Sequence, residues 1–176
     1  MHERRLLNAV DQKLIWRRFA KAAKNTQSDP FSREIDARMA ERLDYVRLDP
    51  KSILDLGSGP GESHPSLIQR YPSSQYFMLD AVFDQLPKPN ADLPRWQKLL
   101  SQWQLTKNRS PIKNPICGDA RALPFKSNSF DLIWSNQLIP WVDDVSGVFE
   151  EAFRVLNTDG LLMFSALGPA TLKCLS

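Results

Sequence analysis

The sequence predicts a doubly wound α/β fold, in which helices cover both faces of a mostly parallel sheet. Its 176 residues and 42% hydrophobic content suffice for one domain with a substantial core. Five short apolar segments alternate with helix-like segments, and the first runs into a turn with glycines at positions 57, 59 and 61. Right-handed crossovers then give the strand order 3-2-1-4-5, with a cleft above the carboxyl ends of strands one and four.

The apolar segments define five strands. They are predicted at residues 51–56, 75–79, 115–118, 130–135 and 161–166. The last is a continuous apolar run, which is typical of a strand covered on both faces. Because parallel strands end at the same edge of a sheet, the residues that directly follow each strand should meet at the cleft.

Helices fill most of the remaining segments. They are predicted at residues 5–23, 32–46, 62–70 and 145–156, where apolar residues recur every three or four positions. Ser32 is expected to cap the second helix, and residues 157–160 to form the turn that ends the last one. Two interpretations stay open for the first helix. Its apolar side packs on the domain, which the pattern favours, or the helix closes over the cleft.

We expect a single domain over residues 1–176, interrupted by an insertion. Within it, the N-terminal helices occupy residues 1–46, the α/β core residues 51–167 and the insertion residues 83–114. The insertion contains four prolines and places Trp96 and Trp103 on one helical face. Tryptophans at this spacing pack more often than they bind a ligand.

The net charge of +3 does not argue for a nucleic-acid partner. The first 24 residues, however, carry seven basic side chains against two acidic ones. This arm is either a solvated helix face, which is the commoner case, or a contact for an acidic partner. Cys117 and Cys174 lack metal-ligand spacing and are expected to be reduced thiols in a cytoplasmic protein. No apolar run reaches the length of a membrane span, so no membrane contact is expected.

The glycine turn predicts a nucleotide-type cofactor. A strand that breaks into a glycine loop and then a helix brings backbone N–H groups close to a ligand. Glycine permits positive φ and close approach. The spacing G-x-G-x-G differs from the dinucleotide fingerprint, whose third glycine comes one position later.

Three carboxylates narrow the choice of cofactor. Asp80 follows strand two, where its side chain can accept two ribose hydroxyls, and Asp119 follows strand three, where it can accept from an adenine amine. Asp55 lies within strand one and must be satisfied there. We expect Asp55 to accept N–H groups of the glycine loop and to attract a cationic ligand. A sulfonium cofactor, S-adenosylmethionine, is therefore favoured over NAD.

Five motifs in order carry a family resemblance. They are Asp-Leu-Gly-Ser-Gly-Pro-Gly at 55–61, Asp80, Gly-Asp-Ala-Arg-Ala-Leu-Pro-Phe at 118–125, Phe-Asp-Leu-Ile-Trp-Ser-Asn at 130–136 and Glu-Ala-Phe-Arg-Val-Leu at 151–156. With these motifs the chain resembles class I S-adenosylmethionine-dependent methyltransferases, which have a Rossmann-like fold. The residues around 18–23, Asn136 with Trp141, and 164–172 resemble the BioC family, the malonyl-acyl-carrier-protein O-methyltransferases of biotin synthesis, and its complex I assembly relatives.

The resemblance implies a role for each motif. Gly57, Gly59 and Gly61 would border the methionine part of the cofactor, Asp80 the ribose, and Asp119 with Ala120 the adenine, while Asn136 would lie near the sulfonium. The cofactor-binding set also includes Asp55, Ser58 and Ala81. Two alternatives stay open: Gly118-Asp119 as a plain turn and Asn136 as a strand-end cap. No catalytic residue is assigned, and no metal is expected.

The chain departs from the family after strand five, because class I enzymes add two further strands. We expect the C-terminal strands of the full fold to be missing, which leaves strand five as an apolar edge through which a homodimer could form. The resemblance implies O-methylation of the free carboxylate of malonyl-acyl carrier protein, an acidic partner. The alternatives are a non-catalytic cofactor-binding or assembly-factor-like protein, and a methyltransferase for another small acid or a protein.

Overall fold

The computed structural model describes residues 11–23, 30–61, 64–86 and 113–168. Five strands and four α-helices lie within these ranges. In chain order they are α1 (Gln12–Ala22), α2 (Pro30–Arg42), β1 (Ser52–Leu56), α3 (His64–Arg70), β2 (Gln75–Asp80), β3 (Lys113–Cys117), β4 (Phe130–Ser135), α4 (Val145–Val155) and β5 (Leu156–Phe164). Short 3₁₀ turns lie at Leu43–Tyr45, Phe83–Gln85 and Ile139–Trp141.

The five strands form one parallel sheet with the order β3-β2-β1-β4-β5. The predicted order is therefore confirmed, as is the α/β class. Strand β1 lies at the centre, with Asp55 opposite Met78 on one side and Trp134 on the other. This register aligns the carboxyl ends of the strands, so the segments that follow them share one edge of the sheet.

Strand β1 sends alternate side chains into two separate cores. Leu54 and Leu56 join a core with α4, to which that helix contributes Val148, Ala152 and Val155. Ile53 joins the opposite core with α2 and α3. A strand covered on both faces has apolar side chains at successive positions, as Ile53, Leu54 and Leu56 show.

Element boundaries differ from the sequence expectation in two places. Helix α2 begins at Pro30, so Ser32 lies inside its first turn and is not the cap that was predicted. Strand β5 begins at Leu156, directly after α4, so residues 157–160 are not the terminal turn of that helix. They form an irregularity within the strand, because Leu156 pairs with Phe130 and the next pair is Leu132 with Leu161.

Several expectations fall on residues outside the described ranges. They concern residues 5–10 of the first helix, the tryptophan-bearing part of the 83–114 insertion, and Cys174. The homodimer through β5 and the division into 1–46, 51–167 and 83–114 stay predictions. Within the described ranges β5 pairs with β4 alone, and none of the helices has the length and apolar character needed to cross a bilayer.

Candidate functional site

The glycine loop after β1 has the backbone geometry that the sequence predicts. Gly57, Gly59 and Gly61 have φ values of 72°, 51° and 83°. Side chains disfavour this region, so glycine is needed at each position. Space is also short at the first of them, where an added Cβ would lie 2.9 Å from Cδ1 of Leu138.

The N–H groups of this loop are already hydrogen-bonded. Those of Gly57 and Ser58 donate to the carbonyl oxygen of Leu79 at 2.8 and 3.1 Å, and that of Gly61 donates to the carbonyl oxygen of Ser58 at 2.9 Å. The N–H of Gly59 donates to Oδ2 of Asp80 at 2.9 Å. A phosphate-binding loop needs free N–H donors. This loop is therefore not built for a pyrophosphate.

Asp80 joins the glycine loop to the end of β2. Its Oδ1 accepts the N–H of Val82 at 2.8 Å while its Oδ2 holds Gly59. Burial raises the pKa of this carboxyl, and the two N–H donors oppose that shift. Each carboxylate oxygen has a second lone pair. Asp80 therefore keeps the capacity to accept further hydrogen bonds, and its contact with the ribose hydroxyls stays a prediction.

Two buried hydroxyls in the described part of the chain have no hydrogen-bond partner, Oγ of Ser58 and Oγ of Ser135. Ser58 lies in the glycine loop, and Ser135 is the last residue of β4. Both therefore lie at the carboxyl edge of the sheet. A buried polar group without a partner is costly, so a small movement that brought either hydroxyl to a polar ligand in the cleft would be favourable. The loop thus fits a small polar cofactor such as S-adenosylmethionine.

Asp55 does not do what the sequence analysis expected. It was expected to accept N–H groups of the glycine loop, and Asp80 takes that role. Asp55 is only 1% exposed, and its Oδ2 accepts the hydroxyl of Tyr76 at 3.0 Å. Burial raises the pKa of Asp55 to about 7, with Asp36 and Asp80 adding repulsion. A carboxyl that is partly protonated at neutral pH is a weak attractor for a cationic ligand.

Asp119 lies after β3, where it was expected, and Arg121 binds it. The carboxylate accepts the backbone N–H of Arg121 at 2.9 Å and the guanidinium through both of its oxygens. These bonds hold the pKa of Asp119 below its ordinary value. Ala120, the next residue, is buried, and the carbonyl oxygen of Ala81 lies 3.7 Å from Sγ of Cys117. The turn at Gly118-Asp119 is therefore stabilised by the ion pair between Asp119 and Arg121.

Asn136 follows β4 and serves a structural purpose. Its Nδ2 donates to the carbonyl oxygen of Ser32 at 2.8 Å, and its Oδ1 accepts the hydroxyl of Ser165 at 2.7 Å. Its amide thus ties α2 to the segment after β5. This agrees with the strand-end cap that the sequence left open. A contact with the sulfonium stays a prediction.

Helix α1 lies across the segments that follow β2 and β4. Gln12 forms two hydrogen bonds with the later segment, through Nε2 to the carbonyl oxygen of Trp141 at 3.1 Å and through Oε1 from the N–H of Asp143 at 3.2 Å. Phe19 packs edge-on against Trp141 with ring centroids 5.1 Å apart, and its carbonyl oxygen accepts Nε2 of Gln85 at 3.2 Å. The helix therefore packs on the domain, as the favoured interpretation predicts, and it does so against segments at the carboxyl edge of the sheet. Closure over the cleft stays a prediction.

The parallel sheet and the glycine loop at its carboxyl edge agree with the protein family that the chain matches. Residues 54–164 match a family model described as a methyltransferase domain. The chain therefore belongs to the methyltransferase-domain family. The resemblance to class I S-adenosylmethionine-dependent methyltransferases is confirmed at the level of fold and family, and the expected cofactor agrees with it.

Curated relatives are malonyl-[acyl-carrier protein] O-methyltransferases. The chain is 39% identical over 165 residues to the one of Gallionella capsiferriformans, covering 93% of this chain and 54% of that protein. It is 38% identical over 165 residues to the one of Methylovorus sp., covering 93% and 53%. The chain thus spans about half the length of the curated relatives it matches.

Solved structures share the fold at low identity. The phosphoethanolamine N-methyltransferase 1 of Haemonchus contortus, solved with phosphoethanolamine and S-adenosylhomocysteine, superposes with a TM-score of 0.61 and 17% identity, covering 94% of this chain and 34% of that one. The plantazolicin methyltransferase BpumL, solved with a monoazolic desmethylPZN analog and S-adenosylhomocysteine, superposes with a TM-score of 0.59 and 16% identity, covering 90% of this chain and 55% of that one. These likenesses show the fold alone.

Four residues at or below the site were missed by the sequence analysis: Gln12, Tyr76, Gln85 and Arg121. Tyr76 shows no local signal, because a tyrosine in a strand is ordinary. Arg121, two positions after Asp119, had a weak signal, since a cation so close to a carboxylate at a strand end suggests a pair. Gln12 and Gln85 act only through contacts with distant segments.

Replacement of the loop glycines separates conformational strain from steric conflict. Gly57→Ala and Gly59→Ala should each lower the free energy of unfolding by about 1 kcal/mol, because φ is positive at both positions. Gly57→Ala should cost about 1–2 kcal/mol more, because its Cβ meets Leu138 at 2.9 Å whereas the nearest atom at Gly59 is 3.4 Å away. Urea denaturation measures both. In a Leu138→Ala background the extra loss should become smaller, because Cδ1 and Cγ of Leu138 are removed while its Cβ, 3.0 Å from the added Cβ, stays. Equal losses in the original background would contradict this account.

The raised pKa of Asp55 predicts a pH-dependent stability. A carboxyl whose folded pKa is about 7 binds a proton more tightly when folded, so the free energy of unfolding falls as pH rises from about 4 to 7. Asp55→Asn stays neutral and keeps an acceptor for Tyr76. It should be more stable than the original chain by roughly 2–4 kcal/mol at pH 8 and similar to it at pH 4.

Urea denaturation of both proteins at pH 4, 6 and 8 measures this difference. The exposed Asp159 offers Asp159→Asn as a control for the chemical change itself. Tyr76→Phe removes the hydroxyl that favours ionised Asp55, so it should extend the slope to higher pH. An Asp55→Asn protein that keeps the original slope would show that another group titrates.

Proposed function

We propose that the chain binds S-adenosylmethionine at the carboxyl edge of its sheet and methylates the free carboxylate of malonyl-acyl carrier protein. The observation that carries this proposal is the glycine loop held by Asp80 within a methyltransferase domain. The similarity to two malonyl-[acyl-carrier protein] O-methyltransferases supports the choice of acceptor. The reaction would then be a step of biotin synthesis, as the resemblance to the BioC family implies.

The arrangement of acceptors supports the choice of cofactor. When bound, S-adenosylmethionine supplies an activated methyl group on a positively charged sulfur. In this chain the glycine loop would border its methionine part, Asp80 would accept the ribose hydroxyls and Asp119 the adenine amine. The loop offers no free N–H among Gly57, Ser58, Gly59 and Gly61, which agrees with a cofactor that lacks phosphate.

The chemistry asks little of the protein beyond positioning. An ionised carboxylate is already a nucleophile, so no general base has to remove a proton. The chain has to orient the acceptor oxygen in line with the methyl group and exclude water. Helix α1 is suited to the second task, because its contacts with Trp141 and Gln85 join two segments above the sheet. This accords with the absence of an assigned catalytic residue.

A basic stripe on α1 supports an acidic carrier as partner. Lys13, Arg17 and Lys21 are spaced by four residues, which places them on one face of the helix, and all three are exposed. Within the described residues no carboxylate forms a salt bridge with them. Because α1 contacts the segments that follow β2 and β4, an acidic protein attracted to this stripe would approach the carboxyl edge of the sheet.

Binding and turnover test the proposed function. Calorimetric titration with S-adenosylhomocysteine should show one binding site. Asp80→Asn should raise its dissociation constant about ten-fold or more, because a carboxylate acceptor is lost. Asp131 is a matched control, since its carboxylate also accepts two backbone N–H groups, those of Lys51 and Ser52, but at the amino edge of the sheet. Asp131→Asn should leave affinity unchanged.

Methyl transfer from labelled S-adenosylmethionine is then measured with malonyl-acyl carrier protein. Acetyl-acyl carrier protein, which has no free carboxylate, serves as the control acceptor. Label in the malonyl carrier alone is the expected result. Binding of the cofactor without methyl transfer would support a non-catalytic cofactor-binding protein. Label in a different small acid or in a protein would show that the methyl acceptor is that molecule and not the malonyl carrier. Absence of binding would overturn the proposal.

Charge reversal tests the carrier contact. The triple change Lys13→Glu, Arg17→Glu and Lys21→Glu should raise KM for malonyl-acyl carrier protein about five-fold or more and flatten its salt dependence, because steering is electrostatic. KM for malonyl-pantetheine, which lacks the protein, should stay unchanged. Reversal of the exposed Arg42, Arg47 and Lys126 is the matched control. An equal rise in both triple variants would show a general charge effect and no specific surface.

A further inference from the structure

Arg121 lies between two carboxylates at the cleft. Its guanidinium pairs with Asp119 through Nη2 at 2.7 Å and with Asp143 through Nη1. The three side chains are 26%, 31% and 34% exposed for Arg121, Asp119 and Asp143. They are therefore partly shielded from water, which strengthens charge-assisted hydrogen bonds compared with an exposed pair.

The pair with Asp119 determines the orientation of that carboxylate. Nε of Arg121 lies 3.0 Å from Oδ1 and 3.1 Å from Oδ2, and its backbone N–H lies 2.9 Å from Oδ1. Both oxygens are thus engaged from one side, and the carboxylate plane is held. The cation also lowers the pKa of Asp119, so at neutral pH the side chain is an acceptor only.

Asp143 holds the other end of the guanidinium and is itself held by α1. Its backbone N–H donates to Oε1 of Gln12 at 3.2 Å, while Nε2 of Gln12 donates to the carbonyl oxygen of Trp141 at 3.1 Å. The side chain of Gln12 therefore bridges two backbone groups of one segment. Through Asp143 this bridge reaches Arg121 and then Asp119.

We propose that Arg121, held by Asp143, is a positioning residue that makes the site select a 6-aminopurine over a 6-oxopurine by fixing the carboxylate of Asp119. This inference rests on the proposed cofactor site and adds its specificity determinant. A fixed ionised carboxylate accepts from the 6-amino group of adenine. Opposite the 6-oxo group of hypoxanthine it faces another acceptor, which leaves both groups unpaired. Without Arg121 the carboxylate can rotate towards water, and the two bases are distinguished less well.

Calorimetric titration with S-adenosylhomocysteine and S-inosylhomocysteine tests this selectivity. The two ligands differ in the 6-substituent of the purine and in the N1 proton that accompanies the oxo form. In the original chain the ratio of their dissociation constants should be about ten or more. Arg121→Gln should weaken the binding of S-adenosylhomocysteine about three- to ten-fold and leave the binding of S-inosylhomocysteine nearly unchanged. The ratio of the two dissociation constants should therefore fall to about three or less. Arg121→Lys, which keeps the charge but not the planar fork, should give an intermediate ratio, as should Asp143→Asn.

A matched control and a second variant make the outcomes distinct. Arg38→Gln removes the same charge from an exposed pair with Glu34 and should keep the original ratio. Because the ratio is measured within one protein, a loss of folded fraction does not change it. Asp119→Asn should abolish selectivity.

Each outcome decides between the proposals. If the original chain binds neither ligand, the proposed function fails and this inference fails with it. If the chain binds both ligands equally, or if Arg121→Gln keeps the original ratio while Asp119→Asn loses it, this inference alone is overturned. A fall of the ratio in Arg121→Gln, with a ratio in Arg121→Lys between those of Arg121→Gln and the original chain, supports it.

Discussion

The site depends first on the attachment of the glycine loop to the end of β2. Gly57 and Ser58 donate to the carbonyl oxygen of Leu79, and Gly59 donates to Asp80. These bonds continue the contact between β1 and β2 beyond the last pair of their ladder, so the loop is held by the neighbouring strand. The N–H donors are used within the protein, and what the cleft offers is mainly carboxylate and hydroxyl oxygen. This surface suits a cofactor that carries hydroxyl and ammonium groups.

Two buried carboxyls support the sheet below this loop. Asp36 accepts Nε1 of Trp134 at 3.0 Å and the hydroxyl of Ser66 at 3.0 Å, so it joins α2 to β4 and α3. Asp55 accepts the hydroxyl of Tyr76 from the neighbouring strand. Buried polar groups are costly unless they are hydrogen-bonded, and these bonds require one relative placement of helices and strands. The core therefore specifies the orientation of α2 and α3 as well as burying their apolar faces.

The predictions from sequence succeeded where the signal is local or topological. Strand order followed from alternating elements and right-handed crossovers, and it placed Asp80 and Asp119 at one edge. The predictions from sequence failed where a side chain contacts a residue that is distant in the chain. Asp55 was given to the glycine loop because the two are adjacent in the chain, whereas alternation along β1 turns its side chain to the face that holds Tyr76. The turn predicted after α4 was wrong, because Leu156 pairs with Phe130 in the sheet, and no local pattern shows such a tertiary contact.

The glycine loop, the carboxylates that follow β2 and β3, and the methyltransferase class were determined by the sequence itself, because each depends on local conformational preference or on motif spacing. The tertiary structure alone decided which carboxylate holds the loop, that Asn136 ties α2 to the segment after β5, and that α1 reaches Trp141 and Asp143. These are hydrogen bonds between residues up to 131 positions apart. No local pattern encodes such a pairing, since it forms only when the whole sheet sets the distance between the segments that follow its strands.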